Sequence, residues 1–361
     1  MKKKNKKILC FSDSFNSGGA QKQLMMLANG LIERNYDVAT MQYHKLNFFS
    51  NDLNQKVLRF DETSRNKLLR VFKILYKLFI YNPDCIISFL HGPNNYAAIY
   101  KVFFFWRKIK LITGERNLDI KPFDIKAILI RIPHIFANKI VCNSNAQKTK
   151  INFYFRKKVL FIPNGTSVNN LIVKENYMSE PKKIKLIVPA RFTLQKNPIN
   201  LLIALSIIKS KKNLDIKLYW YGEIDYTENI YLQSKKYINE NKLENNFIFK
   251  EPVLDIFVEM IKLDAVILPS FYEGCPNAII DGMLCGMPVL ASNVSDNEIY
   301  LKHQSEFLFD PNNPCDIADK IEAFSQMNGL DRKQLGRENS MLAKKYFDIN
   351  KMVNSYICLI E

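Results

Sequence analysis

Residues 269–292 read P-S-F-Y-E-G-C-P-N-A-I-I-D-G-M-L-C-G-M-P-V-L-A-S. The pattern predicts the end of a buried strand, a loop carrying Glu273 and Gly274, a helix opened near Pro276, a stop at Gly286 and Pro288, and another strand at the close. Strand, helix and strand in immediate succession make a βαβ unit, and βαβ units build parallel sheets. Outward from this block the same alternation fills the chain. Upstream it gives a strand at 265–268 and a helix at 254–262, then strands at 247–250, 217–221 and 185–189 with helices at 228–240 and 198–209 between them. Further upstream, short apolar runs at 8–12, 85–90, 110–113, 139–143 and 159–163 read as strands, and 21–33 reads as a helix with apolar residues at 24, 25, 27, 28 and 31.

A polar, non-periodic segment at 173–183 reads as a linker. The expectation is therefore an α/β protein of two parallel domains, 1–172 and 184–345, with a helix near the end of the chain at 346–361. The chain has 361 residues, enough for two domains that each bury a core. Ligands of open α/β sheets bind at the carboxyl ends of the strands, which places the expected chemistry in a cleft between the domains.

Composition narrows the class further. Apolar residues at 47% and charged residues at 24% exclude disordered, collagen-like and disulfide-scaffold chains. The net charge of +17 is unevenly spread: residues 1–175 carry 30 Lys and Arg against 11 Asp and Glu, and residues 176–361 carry 22 against 24. The asymmetry points to a first half that faces a polyanion, either nucleic acid or an anionic membrane surface, the alternative being a general Lys-rich bias, which should load both halves alike. Seven cysteines with no C-x-x-C pair predict neither a zinc site nor a disulfide framework, and so a reducing compartment. The basic start is followed by only four apolar residues, at 8–11, too few for a signal peptide, and no apolar run approaches a membrane span.

Three motifs carry candidate chemistry. In the 269–292 block, the backbone N–H groups of Cys275, Pro276-following Asn277 and Ala278 open a helix and form an anion site, and Gly274 allows close backbone approach. Asp281, four residues after Asn277, shares its helix face and, with Glu273, offers carboxylates to sugar hydroxyls. In P-A-R-F-T-L-Q-K-N-P, residues 189–198, Arg191 and Lys196 follow a strand where two cations neutralise a pyrophosphate. S-G-G-A-Q, residues 17–21, sets Gly18 and Gly19 at the first helix, where a backbone without side chains lies close to phosphate or sugar.

Taken in order, S-G-G-A-Q at 17–21, P-D-C-I-I-S-F-L-H at 83–91, C-N-S-N-A-Q at 142–147, I-P-N-G at 162–165, A-R-F-T-L-Q-K-N at 190–197 and the 269–292 block resemble glycosyltransferase family 4, also called group 1. The resemblance covers nearly the whole chain and is carried most specifically by the Glu-x7-Glu-like signature with its G-x-P-V strand. It implies the GT-B fold of two facing Rossmann-like domains, with the helix at 346–361 crossing back to complete the first, and transfer of a hexose or N-acetylhexosamine with retention from a nucleotide sugar, UDP before GDP. By the same resemblance Arg191 and Lys196 hold the donor pyrophosphate and stabilise the leaving diphosphate. Glu273 and His91 sit at the donor sugar, and Gly18, Gly19, Gly222, Gly274, Cys275, Pro276, Asn277 and Asp281 line the donor site. Asp281 stands where the family has Glu, and Glu251 and Pro252 stand where it often has glycine. The family pattern implies no cofactor and no metal, in keeping with the absence of Asp-x-Asp from the sequence.

The basic first half then becomes the acceptor domain. Residues 66–81 place Lys67, Arg70, Lys73 and Lys77 among aromatics, and residues 100–110 place Trp106, Arg107 and Lys108 beside three phenylalanines. Such segments suit an anionic bilayer. The expected partners are a nucleotide sugar, a glycan or polyprenyl-linked glycan acceptor and the inner face of the cell membrane, with no nucleic acid. The rivals are a sugar-nucleotide epimerase sharing the same fold and a basic non-catalytic protein that binds membrane or nucleic acid. An oxidoreductase is disfavoured because the chain holds no G-x-G.

Overall fold

The structure, a computed structural model, describes residues 6–44, 48–49, 51–116, 125–167, 172–177, 183–211 and 214–361. The chain divides into two compact units, 1–166 with 347–361, and 167–346.

The first unit runs β1 (Lys7–Phe11), α1 (Gly19–Glu33), β2 (Asp37–Gln42), β3 (Leu58–Asp61), α2 (Lys67–Tyr81), β4 (Cys85–Phe89), α3 (His91–Phe103), β5 (Lys110–Glu115), α4 (Ile125–Phe136), β6 (Lys139–Cys142), α5 (Asn145–Phe155) and β7 (Val159–Phe161). Its strands form one parallel sheet of order β3-β2-β1-β4-β5-β6-β7. The strands are short and mostly buried, and β4 is buried along its full length, as expected of a parallel sheet covered on both faces. One face packs with α1. The other packs with Ile74 and Leu78 of α2, Ala97 and Tyr100 of α3 and Ile151 of α5. Asn66 caps α2 by accepting from the Leu68 and Leu69 amides, and Ser144 caps α5 through the Gln147 amide.

The second unit runs β8 (Lys183–Pro189), α6 (Pro198–Lys211), β9 (Asp215–Tyr221), α7 (Ile230–Glu240), β10 (Phe247–Lys250), α8 (Ile256–Met260), β11 (Ala265–Leu268), α9 (Asn277–Leu284), β12 (Val289–Ser292), α10 (Asn297–Tyr300), β13 (Leu308–Phe309), α11 (Pro314–Gln326) and α12 (Gly329–Tyr346). Its parallel sheet has the order β10-β9-β8-β11-β12-β13. The final helix, α13 (Ile349–Ile360), returns to the first unit, where Met352, Val353, Tyr356 and Ile360 join the α1 core.

Four sequence expectations change. The division falls at residue 166, not across 173–183. Of that expected linker, 178–182 lie outside the described residues, while Lys174 donates its amide to Cys285 O and the Tyr177 hydroxyl donates to Gly286 O, so both belong to the second unit. Strands β2, β3 and β13 and helices α10–α12 go unread in the sequence. The strand expected at 85–90 stops at Phe89, and His91 opens α3. The 100–110 segment is not one helix, because α3 ends at Phe103 and a turn carries Trp106 and Arg107. Among the described residues no helix is long and apolar enough to cross a membrane.

Candidate functional site

In the second unit the direction of strand addition reverses between β8 and β11, which pair side by side. A crevice opens at such a switch point, outside the carboxyl ends of the two strands. The loop after β8 carries Arg191 and Lys196, and the loop after β11 carries Glu273 and Gly274 and leads into α9. The sequence therefore brings its strongest and second motifs to one edge of one sheet.

The two loops are tied together by side chains. Lys196 Nζ donates to Glu273 Oε1, with the glutamate side chain only 6% exposed. Gln195 Nε2 donates to Tyr272 O at 2.9 Å, and the Phe271 amide donates to Gln195 O at 2.9 Å. Asn197, in the left-handed region at φ 56°, donates through Nδ2 to Pro269 O at 3.0 Å and to Pro311 O at 2.8 Å. Asn is one of the few side chains that takes this conformation readily, and Pro198 then starts α6. Sequence reasoning assigned no role to Gln195 or Asn197. Their signal was present as an amide pair flanking Lys196, but polar loop residues read as solvent-facing until their partners are known.

Arg191 is exposed, and its charge lies close enough to help hold Asp225 below its usual carboxylate range, after the larger effect of hydrogen bonds from Thr227. Gly222, after β9, lies against this loop: a Cβ there would sit 2.0 Å from Ala190 O and 3.0 Å from the Arg191 amide nitrogen. Pro276 is the N-cap of α9, and its carbonyl accepts from Ile279 at 3.1 Å and Ile280 at 3.2 Å. Cys275 and Asp281 are buried at 5% and 6% exposure, and Ser295 Oγ donates to Gly274 O at 2.9 Å, fixing the loop from outside. Helix α9 closes with Gly286 at φ 74°, its amide donating to Met283 O and that of Met287 to Gly282 O, the paired bonds of a Schellman cap. The edge thus assembles an exposed arginine, a lysine paired with a carboxylate and a helix N-terminus, a set able to hold a diphosphate and hydroxyl groups.

Gly18, Gly19 and His91 belong to the first unit, where they flank its own switch point between β1 and β4. Gly18 is the N-cap of α1, and Gln21 reaches back from that helix to Asp13 Oδ1 at 2.9 Å. His91 is exposed, with Nδ1 3.2 Å from Ile130 O and Nε2 3.0 Å from Asn95 Nδ2. Leu90, just before it, has φ 75° and ψ 159°, a region nearly reserved for glycine. Such strain costs about 1–3 kcal/mol and clusters at binding sites.

The expected basic face of α2 differs from the expectation. Lys73 and Lys77 pair with Glu62, Arg70 Nε donates to Ser64 O, and Lys67 stays exposed. Arg107 is turned inward over the Phe79 ring at 4.0 Å and donates to Phe79 O, while Trp106 and Lys108 are exposed.

Residues 172–340 match the family described as glycosyl transferases group 1. An uncharacterized glycosyltransferase of Methanocaldococcus jannaschii is 23% identical over 85% of this chain and 88% of its own. The capsular polysaccharide biosynthesis glycosyltransferase CapH of Staphylococcus aureus is 29% identical over 47% of each chain. Among solved structures, Anabaena HepE in complex with UDP-glucose superposes with a TM-score of 0.81 at 19% identity, covering 98% of this chain and 99% of that one. This likeness establishes the GT-B fold.

Proposed function

We propose that this chain, a glycosyltransferase of the GT-B fold whose residues 172–340 are a group 1 glycosyl transferase domain, moves a hexose or N-acetylhexosamine from a UDP-sugar to a lipid-linked or polysaccharide acceptor. The observation that carries this reading is the Lys196–Glu273 pair at the β8/β11 switch point, with Arg191 and the α9 N-terminus on the same edge. In this reading the diphosphate lies against Arg191, Lys196 and the α9 amides, which take up the charge as the bond from sugar C1 to the diphosphate oxygen breaks and its electron pair leaves with UDP. Glu273, held by Lys196, accepts from sugar hydroxyls. Asp281 faces the nucleotide, and the acceptor hydroxyl gives its proton to the departing diphosphate oxygen as its own oxygen bonds C1 on the face the diphosphate leaves, giving retention without a metal. UDP is preferred to GDP because HepE, a structural relative, binds UDP-glucose. A glycan acceptor at the cytoplasmic face of the membrane is preferred because CapH serves capsular polysaccharide synthesis and because the first half is strongly basic.

Thermal unfolding with UDP, GDP and ADP, each with and without EDTA, tests the donor side. A nucleotide at 100 times its Kd stabilises by about 2.7 kcal/mol, an easily measured shift. The expected result is stabilisation by UDP that EDTA leaves intact and that Arg191→Ala removes. Stabilisation by none of the three, or a UDP effect indifferent to Arg191→Ala, would overturn the reading.

A further inference from the structure

Helix α4 is built inside out. Its polar residues Arg131 and His134 are buried, at 4% and 1% exposure, where His134 lies 3.0 Å from Glu115 Oε2 and 2.8 Å from Thr113 Oγ1. Its outward positions are apolar, with Ile132 43% and Ile135 55% exposed, and Leu129 and Phe136 extend the same stripe. A helix facing water has the opposite arrangement. Helix α2 repeats the pattern: Ile74 and Leu78 fill the core while Phe72 and Tyr76 stand 69% and 65% exposed on the other side. Between the two, α3 packs against both, and the turn after it exposes Phe105 at 78% and Trp106 at 62%. The surfaces of α2 and the turn are continuous, since Phe104 packs on Phe79 of α2 at 5.2 Å and on Trp106 at 5.4 Å, and α4 lies next to α3 in the same layer. Contiguous apolar surface of this extent marks an interaction site.

The surrounding charge says what covers it. Between residues 63 and 114 the only acid is Asp84, against nine Lys and Arg, and between residues 125 and 174 there is none. Arg65, Lys67, Lys108 and Lys150 are exposed around this layer. A second copy of the same face would set cations against cations, whereas anionic lipid headgroups oppose them with phosphate. Trp106 and Tyr76 are the residue types that settle at the boundary between headgroup and acyl chain.

We propose that the outer face of α2, the turn after α3 and α4 docks on an anionic bilayer by shallow insertion of these apolar side chains, with the exposed cations as a rim. This deepens the lipid-linked acceptor of the proposed function, and it rests on that reading only for the reason the protein would visit a membrane. The sequence placed the contact in the cations and aromatics of 66–81 and in Trp106, Arg107 and Lys108 of 100–110; the proposal adds the apolar stripe of α4 and gives less weight to Lys73 and Lys77, which are paired with Glu62.

The test is flotation of the full-length protein with vesicles of phosphatidylcholine alone or mixed with phosphatidylglycerol, at about 0.1 M and about 1 M salt, where charge attraction is screened within about 10 Å and about 3 Å. Binding to the mixed vesicles is expected, with a portion surviving high salt and a blue shift of tryptophan fluorescence. Ile132→Glu/Ile135→Glu and, separately, Phe105→Ser/Trp106→Ser should each lower the bound fraction about tenfold or more, since immersed carboxylates or lost aromatic area cost at least the equivalent of a factor of ten. The thermal response to UDP should be unchanged in both variants. Failure of the wild type to float, floating by both variants as well as the wild type, or loss at high salt of all binding would overturn the proposal. So would a concentration-dependent dimer that both variants dissolve, because the face then buries a second copy. Loss of the UDP response with vesicle binding intact would instead strike the donor reading and leave this one standing.

Discussion

At the scale of single residues, the edge at the β8/β11 switch point depends on backbone approaching backbone. Gly222 follows β9 and lies against Ala190 and Arg191, and the Ala190 carbonyl also accepts from Trp220 Nε1 at 2.7 Å. A methyl at 222 would meet that carbonyl at 2.0 Å, and the obstacle is main chain, which cannot swing aside as the end of a long side chain can. Gly222→Ala must therefore push the loop that carries Arg191. Overpacking of this type costs about 1–3 kcal/mol, and the displaced guanidinium should weaken UDP binding as well. Urea unfolding and titration with UDP measure the two effects; a stable variant that binds UDP like the wild type would show that the loop is not held by this approach. The motif around Arg191 and Lys196 was legible in the sequence because a charged pair after a strand is conspicuous. The need for glycine at 222 was not, because it arises from a contact across 31 residues of chain.

At the scale of elements, α2 shows both what periodicity reveals and where it stops. The run at 66–81 stood out in the sequence by its interleaved cations and aromatics, and Asn66 caps the helix it forms. Which way it faces was not, because apolar residues lie on both sides and only Ile74, Leu78 and Tyr81 are buried. Its cations are organised by Glu62, which lies before the helix, is 5% exposed, bonds with Ser64 and pairs with Lys73 and Lys77. Burial alone would raise the Glu62 carboxyl, but the bonds from Ser64 and Lys77 outweigh it and hold it below its ordinary 4.5. A depressed carboxyl stabilises the fold above its unfolded value and loses that contribution as pH falls through its folded value. Glu62→Gln should therefore cost about 1.5–3 kcal/mol at pH 7, as charged hydrogen bonds do. The difference should shrink once the pH drops below 4.5. Urea midpoints of both proteins across pH 3 to 7 check this; a gap independent of pH would mean that shape, not charge, holds the α2 entry.

At the scale of the whole molecule, the two-unit α/β plan was legible because each buried strand announces itself as a short apolar run between helical patterns. The edge strands β3 and β13 were not, being largely exposed and only two residues long respectively, nor was β2, whose buried run is broken by Thr40 and Gln42. The return of the chain's last helix to the first unit has a consequence that local pattern cannot supply. Tyr356 of α13 is fully buried, and its hydroxyl takes a hydrogen bond from Arg116 Nη2 at 2.9 Å, so the 116 guanidinium, itself only 6% exposed, depends on a residue 240 positions away. Val353 fills the space above Gly30, where a Cβ would come within 2.5 Å of it. Tyr356→Ala would therefore leave a cavity and a buried arginine short of a partner, which together cost about 3–5 kcal/mol. Because α13 adds its apolar side chains to the α1 core and belongs to the first unit, the loss should fall on that unit. Hydrogen exchange of the variant should accelerate in β1, β4 and α1 while β8, β11 and α9 keep their protection, and UDP should still slow exchange in the latter. Equal acceleration in both units would mean that they unfold as one cooperative body and that the last helix stabilises the whole chain.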